Sequence, residues 1–255
     1  FGLPFLIFLA WELLAKRVHS SRQLEQDLNL TIYGEIVQLP MRRRQATARS
    51  NRSLDNSLQV FRESFDTLST NLSLSPAMQE VRVVAVASAV TSEGKTSVAA
   101  ELARRLAENT HAKVLLIDAD MRSPDIHRLF RIAPEPGLVG VLSNEVSFEQ
   151  AVDTGCGDQL HVLPAGRLTS SPVALLGNGN LTGLLDKARS EYRYVVIDTP
   201  PILPAGESLT LSRAADVTLL CVKWESSRIG DVRLARERLT LAGTEHIGVV
   251  VNGVP

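Results

Sequence analysis

Three short stretches carry residues that could handle a phosphate. SEGKTS, residues 92–97, sets Gly94, Lys95 and Thr96 in a row. DADMR, residues 118–122, sets Asp118, Asp120 and Arg122 at alternate positions, and VVID ends on Asp198. A lysine amine can meet β- and γ-phosphate oxygens, and a threonine hydroxyl can ligate Mg²⁺. A glycine lets backbone come close to an anion. Carboxylates hold a hard cation through oxygen, and they orient or deprotonate an attacking hydroxyl. The chemistry common to these residue types is phosphoryl transfer from a nucleotide. One position is unusual. The phosphate-loop pattern G-x-x-x-x-G-K-S/T asks for glycine at 89, where this chain has Ala89.

These residues need elements to position them. VVAVA, residues 83–87, is an apolar run of strand length, suited to a strand buried on both faces of a parallel sheet. After Thr96, Val98, Ala99, Leu102, Ala103, Leu106 and Ala107 recur at helical spacing. The GKT triplet therefore sits at a helix N-terminus, where free N–H groups and the helix dipole favour an anion. Further buried strands are expected at 114–117, 160–164, 194–198, 217–222 and 247–252, with helices over 57–74, 181–190 and 229–242. The alternation predicts an α/β fold: a mostly parallel sheet with helices on both faces. Ligands in such folds sit at the carboxyl ends of the strands, which is where the three stretches fall. Any single aspartate after a strand can equally be a turn or a cap. Three such sites in the right order point to one shared site.

The 255 residues carry a net charge of −1, which does not call for nucleic acid. The two cysteines, Cys156 and Cys221, form no CxxC pair, which argues against a disulfide scaffold or a zinc site. Residues 1–15, FGLPFLIFLAWELLA, are apolar but shorter than the ~20 residues of a spanning helix. Lys16, Arg17, Arg22, Arg42, Arg43, Arg44, Arg49 and Arg52 follow that run, whereas a signal peptide carries its charges before its core. The expected organisation is the end of a truncated transmembrane helix at 1–15, a basic juxtamembrane linker at 16–53 and a nucleotide-binding domain at 54–255. SSRQLEQDLNL within the linker has the pattern of a short amphipathic helix.

The chain resembles the bacterial tyrosine kinases attached to chain-length-determinant, or polysaccharide co-polymerase, proteins, within the MinD/ParA-like P-loop NTPases. SEGKTSVAAELA, VLLIDADMRSPDIHRLF, GLVGVLSNEVSFEQAV, HVLPAG, YRYVVIDTPPIL and IGVVVNGV carry the likeness. LLIDADMR is the most specific of them, as the second Walker motif D-x-D-x-R. This family commonly lacks the first loop glycine, so Ala89 fits a variant site. The resemblance implies an ATP-dependent protein-tyrosine kinase that regulates synthesis, chain length or export of a surface polysaccharide. It implies ATP and Mg²⁺ as cofactors, and the polysaccharide machinery and inner membrane as partners, with the catalytic domain cytoplasmic. Ser92, Glu93, Gly94, Lys95, Thr96, Ser97, Arg122 and Asn252 are then nucleotide contacts. Thr96, Asp118 and Asp198 hold the metal, and Lys95, Asp118 and Asp120 are catalytic. For Asn252, a contact to adenine and a turn before Gly253 both remain open.

Four departures from the family pattern stand out. Thr91-Ser92 replaces the usual Pro-Gly. ESFDTLS keeps Glu63 of the ring-assembly motif E-x-x-R-x-x-R but has Asp66 and Ser69 for its arginines, which puts homo-oligomeric rings through that helix in question. Glu207 matches an aspartate. The tyrosines are Tyr33, Tyr192 and Tyr194, without a C-terminal cluster. Two alternatives follow: a MinD/ParA-like membrane-associated ATPase, although residues 89–93 lack its early loop lysine, and a nucleotide-binding regulatory module without kinase activity.

Overall fold

Continuous apolar runs became the centre of a sheet. The computed structural model describes residues 17–38, 48–74, 80–177 and 179–255. In chain order the elements are α1 (Ser21–Leu28), β1 (Thr31–Val37), α2 (Ala48–Leu74), β2 (Val83–Ser88), α3 (Lys95–Thr110) and β3 (Val114–Asp118). Then come α4 (Ile126–Phe130), α5 (Leu138–Leu142), α6 (Phe148–Ala151), β4 (Leu160–Leu163), α7 (Pro172–Leu176) and α8 (Asn180–Glu191). The chain closes with β5 (Tyr194–Asp198), α9 (Glu207–Ala214), β6 (Val217–Lys223), α10 (Ile229–Leu241) and β7 (Ile247–Val254).

The strands form one sheet in the order β1-β7-β6-β2-β5-β3-β4, and every pairing is parallel. Side chains alternate across it with period two. Val84, Val86, Val114 and Leu116 face one layer with Phe65 and Leu68 of α2 and Leu102 and Leu106 of α3. Val83, Leu115 and Ile117 face the opposite layer, under α8 and α9. Ala87, Leu220 and Val249 extend that second layer beneath α1 and α10. β2, β3 and β5 are buried at every position, so no polar face competes for register.

That register sets the site. β5 lies between β2 and β3, with Val86 opposite Asp198 and Asp118 opposite Asp198. The loop after β2 and the carboxylates ending β3 and β5 therefore emerge side by side.

The expected linker over 16–53 requires a correction. The amphipathic helix is there as α1, but residues 31–37 form an edge strand paired with β7, and α2 starts at Ala48. TIYGEIV is rich in β-formers, yet its positions are mostly half-exposed or exposed and it makes no apolar run. Its seat on β7 is close: a Cβ on Gly248 would lie 2.2 Å from the Tyr33 ring. Arg17 and Val18 also join the fold, through a bridge of Arg17 to Arg228. No helix among the described residues is long and apolar enough to cross a membrane. The run at 1–15 and the arginines 42–44 lie outside the described residues.

Candidate active site

The loop between β2 and α3 is strained where it must turn. Gly94 has φ 90°, in the left-handed region that glycine enters freely. Ser92 has φ 68° without that freedom, at one of the positions where the family carries glycine. Gly94 offers no capping side chain to α3, so the first N–H groups of the helix are left for a ligand. A Cβ at Gly94 would lie 2.1 Å from the Asn252 amide nitrogen, so a larger residue would displace that side chain as well as strain the backbone.

Lys95 opens α3 and meets both carboxylate-bearing strand ends. Its Nζ lies 2.8 Å from Asp120 and 3.6 Å from Asp198. All four charged groups are nearly enclosed: Lys95 is 9%, Asp120 5%, Asp198 1% and Asp118 0% exposed. Burial works against the lysine charge, but Asp198, Asp120 and Asp118 outweigh it and hold its pKa above the ordinary value. Asp118 also moves up, but here the shift disfavours the charged form. Burial, then Asp198, push its carboxyl up to about 7, against the backbone N–H of Ile126. Burial raises Asp198 to about 6, with Lys95 opposing.

The carboxylates differ in how they are held. Asp118 accepts the N–H of Ile126 at 3.1 Å and of Asp120 at 3.2 Å. Asp120 accepts Lys95 and the N–H of Ser123 at 3.2 Å. Asp198 has both oxygens buried, with only the weak contacts of Lys95 and Thr96 to meet them. Buried polar atoms are rarely left so, and a carboxylate least of all.

The residues predicted from sequence divide into two groups. Gly94, Lys95, Thr96, Asp118, Asp120 and Asp198 come together. Ser92 and Ser97 lie exposed on the same loop and first turn. The Glu93 side chain departs from expectation: it is buried on the inner side of the loop, bonded to Val90 N–H and to Ser227. Asn252 donates its amide to the Glu93 carbonyl at 3.0 Å, bracing the loop from the end of β7. Arg122 is expected as a nucleotide contact. It pairs instead with buried Glu207, Nε to Oε1 at 2.5 Å, the residue that replaces the family aspartate. Asp66 and Ser69 of α2 also turn inward, each accepting the Asn109 amide of α3 at 3.0 Å. Sequence reasoning missed Ser227, because a serine in KWESSR has no spacing that marks it.

Residues 81–230 match the AAA domain family. Tyrosine-protein kinase YwqD of Bacillus subtilis (strain 168) is 33% identical over 191 residues, covering 75% of this chain and 80% of YwqD. Tyrosine-protein kinase etk of Escherichia coli (strain K12) is 29% identical over 202 residues, 79% of this chain but only 28% of that protein. The solved kinase domain of Escherichia coli tyrosine kinase ETK superposes with a TM-score of 0.82 at 27% identity, covering 93% of this chain and 95% of that one. A chain of the Aquifex aeolicus MinC:MinD cell division protein complex, at 23% identity and a TM-score of 0.58 over 68% of this chain and 69% of that one, shares the fold. With the GKT loop, the D-x-D-x-R stretch and Asp198 assembled at one sheet edge, the chain belongs to the bacterial tyrosine-protein kinases built on an AAA domain.

Proposed function

We propose that the chain transfers the γ-phosphoryl group of ATP to a tyrosine hydroxyl. By family resemblance it does so to regulate synthesis, chain length or export of a surface polysaccharide, with residues 1–15 anchoring it in the inner membrane and the catalytic domain cytoplasmic. The observation that carries the reading is Lys95 at a helix N-terminus, buried among three carboxylates from two neighbouring strand ends.

That set suits ATP and Mg²⁺. Three carboxylates facing one lysine leave a surplus of negative charge, and the Asp198 oxygens are engaged only weakly, by Lys95 and Thr96. Among the described residues, no group of three or more His, Cys, Asp or Glu side chains would hold a metal by itself. A cation here would share its shell with phosphate oxygens and water, as Mg²⁺ does. Thr96 and Asp198, with Asp118 beside them, supply the hard oxygen donors. When bound, Mg²⁺ neutralises charge on the phosphate oxygens.

The chain's own residues do the rest. The free N–H groups of the loop and first turn of α3 bind and orient the phosphates. Lys95 exchanges Asp120 for phosphate oxygen and stabilises the charge that spreads over the transferring group. Asp118, held at the end of β3 by the N–H groups of Ile126 and Asp120, takes the proton from the tyrosine hydroxyl as its oxygen attacks phosphorus. Both products keep their charge balance: phosphotyrosine and ADP leave, and the proton returns to solvent from Asp118.

The test uses the purified chain with γ-labelled ATP, Mg²⁺ and a tyrosine-containing acceptor peptide. Label on tyrosine is the expected result. Release of free phosphate with an unlabelled acceptor would favour the membrane-ATPase reading, and binding without turnover the regulatory-module reading.

A further inference from the structure

Glu93 stands two residues before Lys95 and is committed elsewhere. Its side chain is 2% exposed. Oε2 accepts the Val90 N–H at 2.9 Å, which closes the loop on itself, and Oε1 accepts the Ser227 hydroxyl. Its backbone carbonyl accepts the Asn252 amide at 3.0 Å and the Cys221 thiol at 3.2 Å. Residue 93 is thus tied to the start of its own loop, to β6, to β7 and to the β6–α10 connection.

Ser227 is a firm anchor. Its Oγ accepts the Lys223 N–H at 2.8 Å, its own N–H donates to the Lys223 carbonyl at 2.9 Å, and its carbonyl accepts the Val18 N–H at 3.0 Å. A buried carboxyl is costly unless its bonds are met, and here they are met by groups outside the anion side of the loop. A carboxylate turned outward would repel phosphate. Turned inward, it has a geometric use. A trans peptide is planar, with C=O and N–H opposed. Pinning the carbonyl of residue 93 inward therefore turns the Gly94 N–H the opposite way.

We infer that Glu93 is a positioning residue: through Ser227 it holds the loop in its anion-binding shape before nucleotide arrives, and it touches neither phosphate nor metal. This rests on the reading of the loop as an ATP site.

The experiment compares the purified chain with Ser227→Ala, Glu93→Gln, Glu93→Ala and the Glu93→Ala/Ser227→Ala double variant. It reads the Kd for Mg·ATP by calorimetry and kcat at saturating ATP. Ser227→Ala is expected to raise Kd ~10-fold, the scale of one lost bond to a charged group. Its kcat should stay within ~3-fold, because bound phosphates restore the loop. Glu93→Ala should raise Kd further. Glu93→Gln should recover most of the loss, since its amide can still bond both Val90 and Ser227. The double variant should be no worse than Glu93→Ala, as two members of one unit are not additive. If Glu93→Ala does not fold, Ser227→Ala and Glu93→Gln decide alone. Wild-type Kd in Ser227→Ala, or additive losses in the double variant, would overturn the inference. An unmodified chain that binds no Mg·ATP overturns the underlying reading of the site, and the inference with it.

Discussion

On the inner side of the GKT loop every bond is met, while on the outer side several are missing. Glu93 and its carbonyl have partners at Val90, Ser227, Asn252 and Cys221. One glycine further on, Lys95 balances two carboxylates at unequal distances, and Asp198 is engaged only weakly, by Lys95 and Thr96. The difference separates two tasks within six residues. A fully bonded network rigidifies the loop, and an under-bonded one is completed by its ligand. Strain and charge surplus are thereby confined to the face where chemistry happens, as expected of functional sites.

The largest effect should come from removing Lys95 from the outer side. Lys95→Ala is expected to lower Mg·ATP turnover by more than ~1000-fold, as the loss of a central charge-stabilising group. Isothermal titration and phosphoryl-transfer assays would check it. Near-wild-type affinity would mean that the under-bonded face is not the ligand face.

The carboxylates sharpen the contrast by dissociating activity from stability. Asp118→Asn and Asp120→Asn should each slow phosphoryl transfer ~100-fold. For Asp118 the stability effect runs the other way. Its pKa rises from 3.8 to about 7 on folding, so the folded state holds the proton more tightly. The stability it contributes is full below its unfolded value and is lost as pH climbs to about 7. Without nucleotide, Asp118→Asn should melt a few degrees above wild type at pH 8, with a smaller gap at pH 5. Calorimetric scans at the two pH values give the answer. A variant less stable than wild type at pH 8 would show that the bonds from Ile126 and Asp120 outweigh the charge.

The smallest effect concerns backbone strain. Ser92 holds φ 68°, and a left-handed residue other than glycine costs roughly 1 kcal/mol. Ser92→Gly relieves that strain but gives the unfolded chain more freedom. A net gain below ~1 kcal/mol is expected in urea unfolding. A loss of stability would place the strain elsewhere in the loop.

The outer face was legible in the sequence and the inner face was not. Asp118 and Asp198 end apolar runs, and Lys95 follows one, so parallel pairing alone carries them to a common edge. Nothing in the spacing of SEGKT says which of its side chains turns inward. Glu93 depends on a serine 134 residues away, in a stretch with no periodicity of its own. Arg122 finds Glu207 across 85 residues for the same reason. At the level of the fold, the strands buried on both faces were evident from composition. β1 was not, because an edge strand needs only one good side and TIYGEIV follows a basic, polar stretch.

β1 has a consequence beyond the site. It joins the beginning of the described chain to β7, the last strand. Seated there, it occupies a row of N–H and C=O groups that would otherwise be an open parallel edge. A fragment cut at the expected boundary of 54 would keep the GKT loop and all three carboxylates. It would also bare β7, whose core positions are Val249, Val250 and Val251. Such an edge is sticky in the sense of a template: another chain can add to it and so begin aggregation. Solubility of a shortened protein would then turn on seven residues that contribute nothing to catalysis.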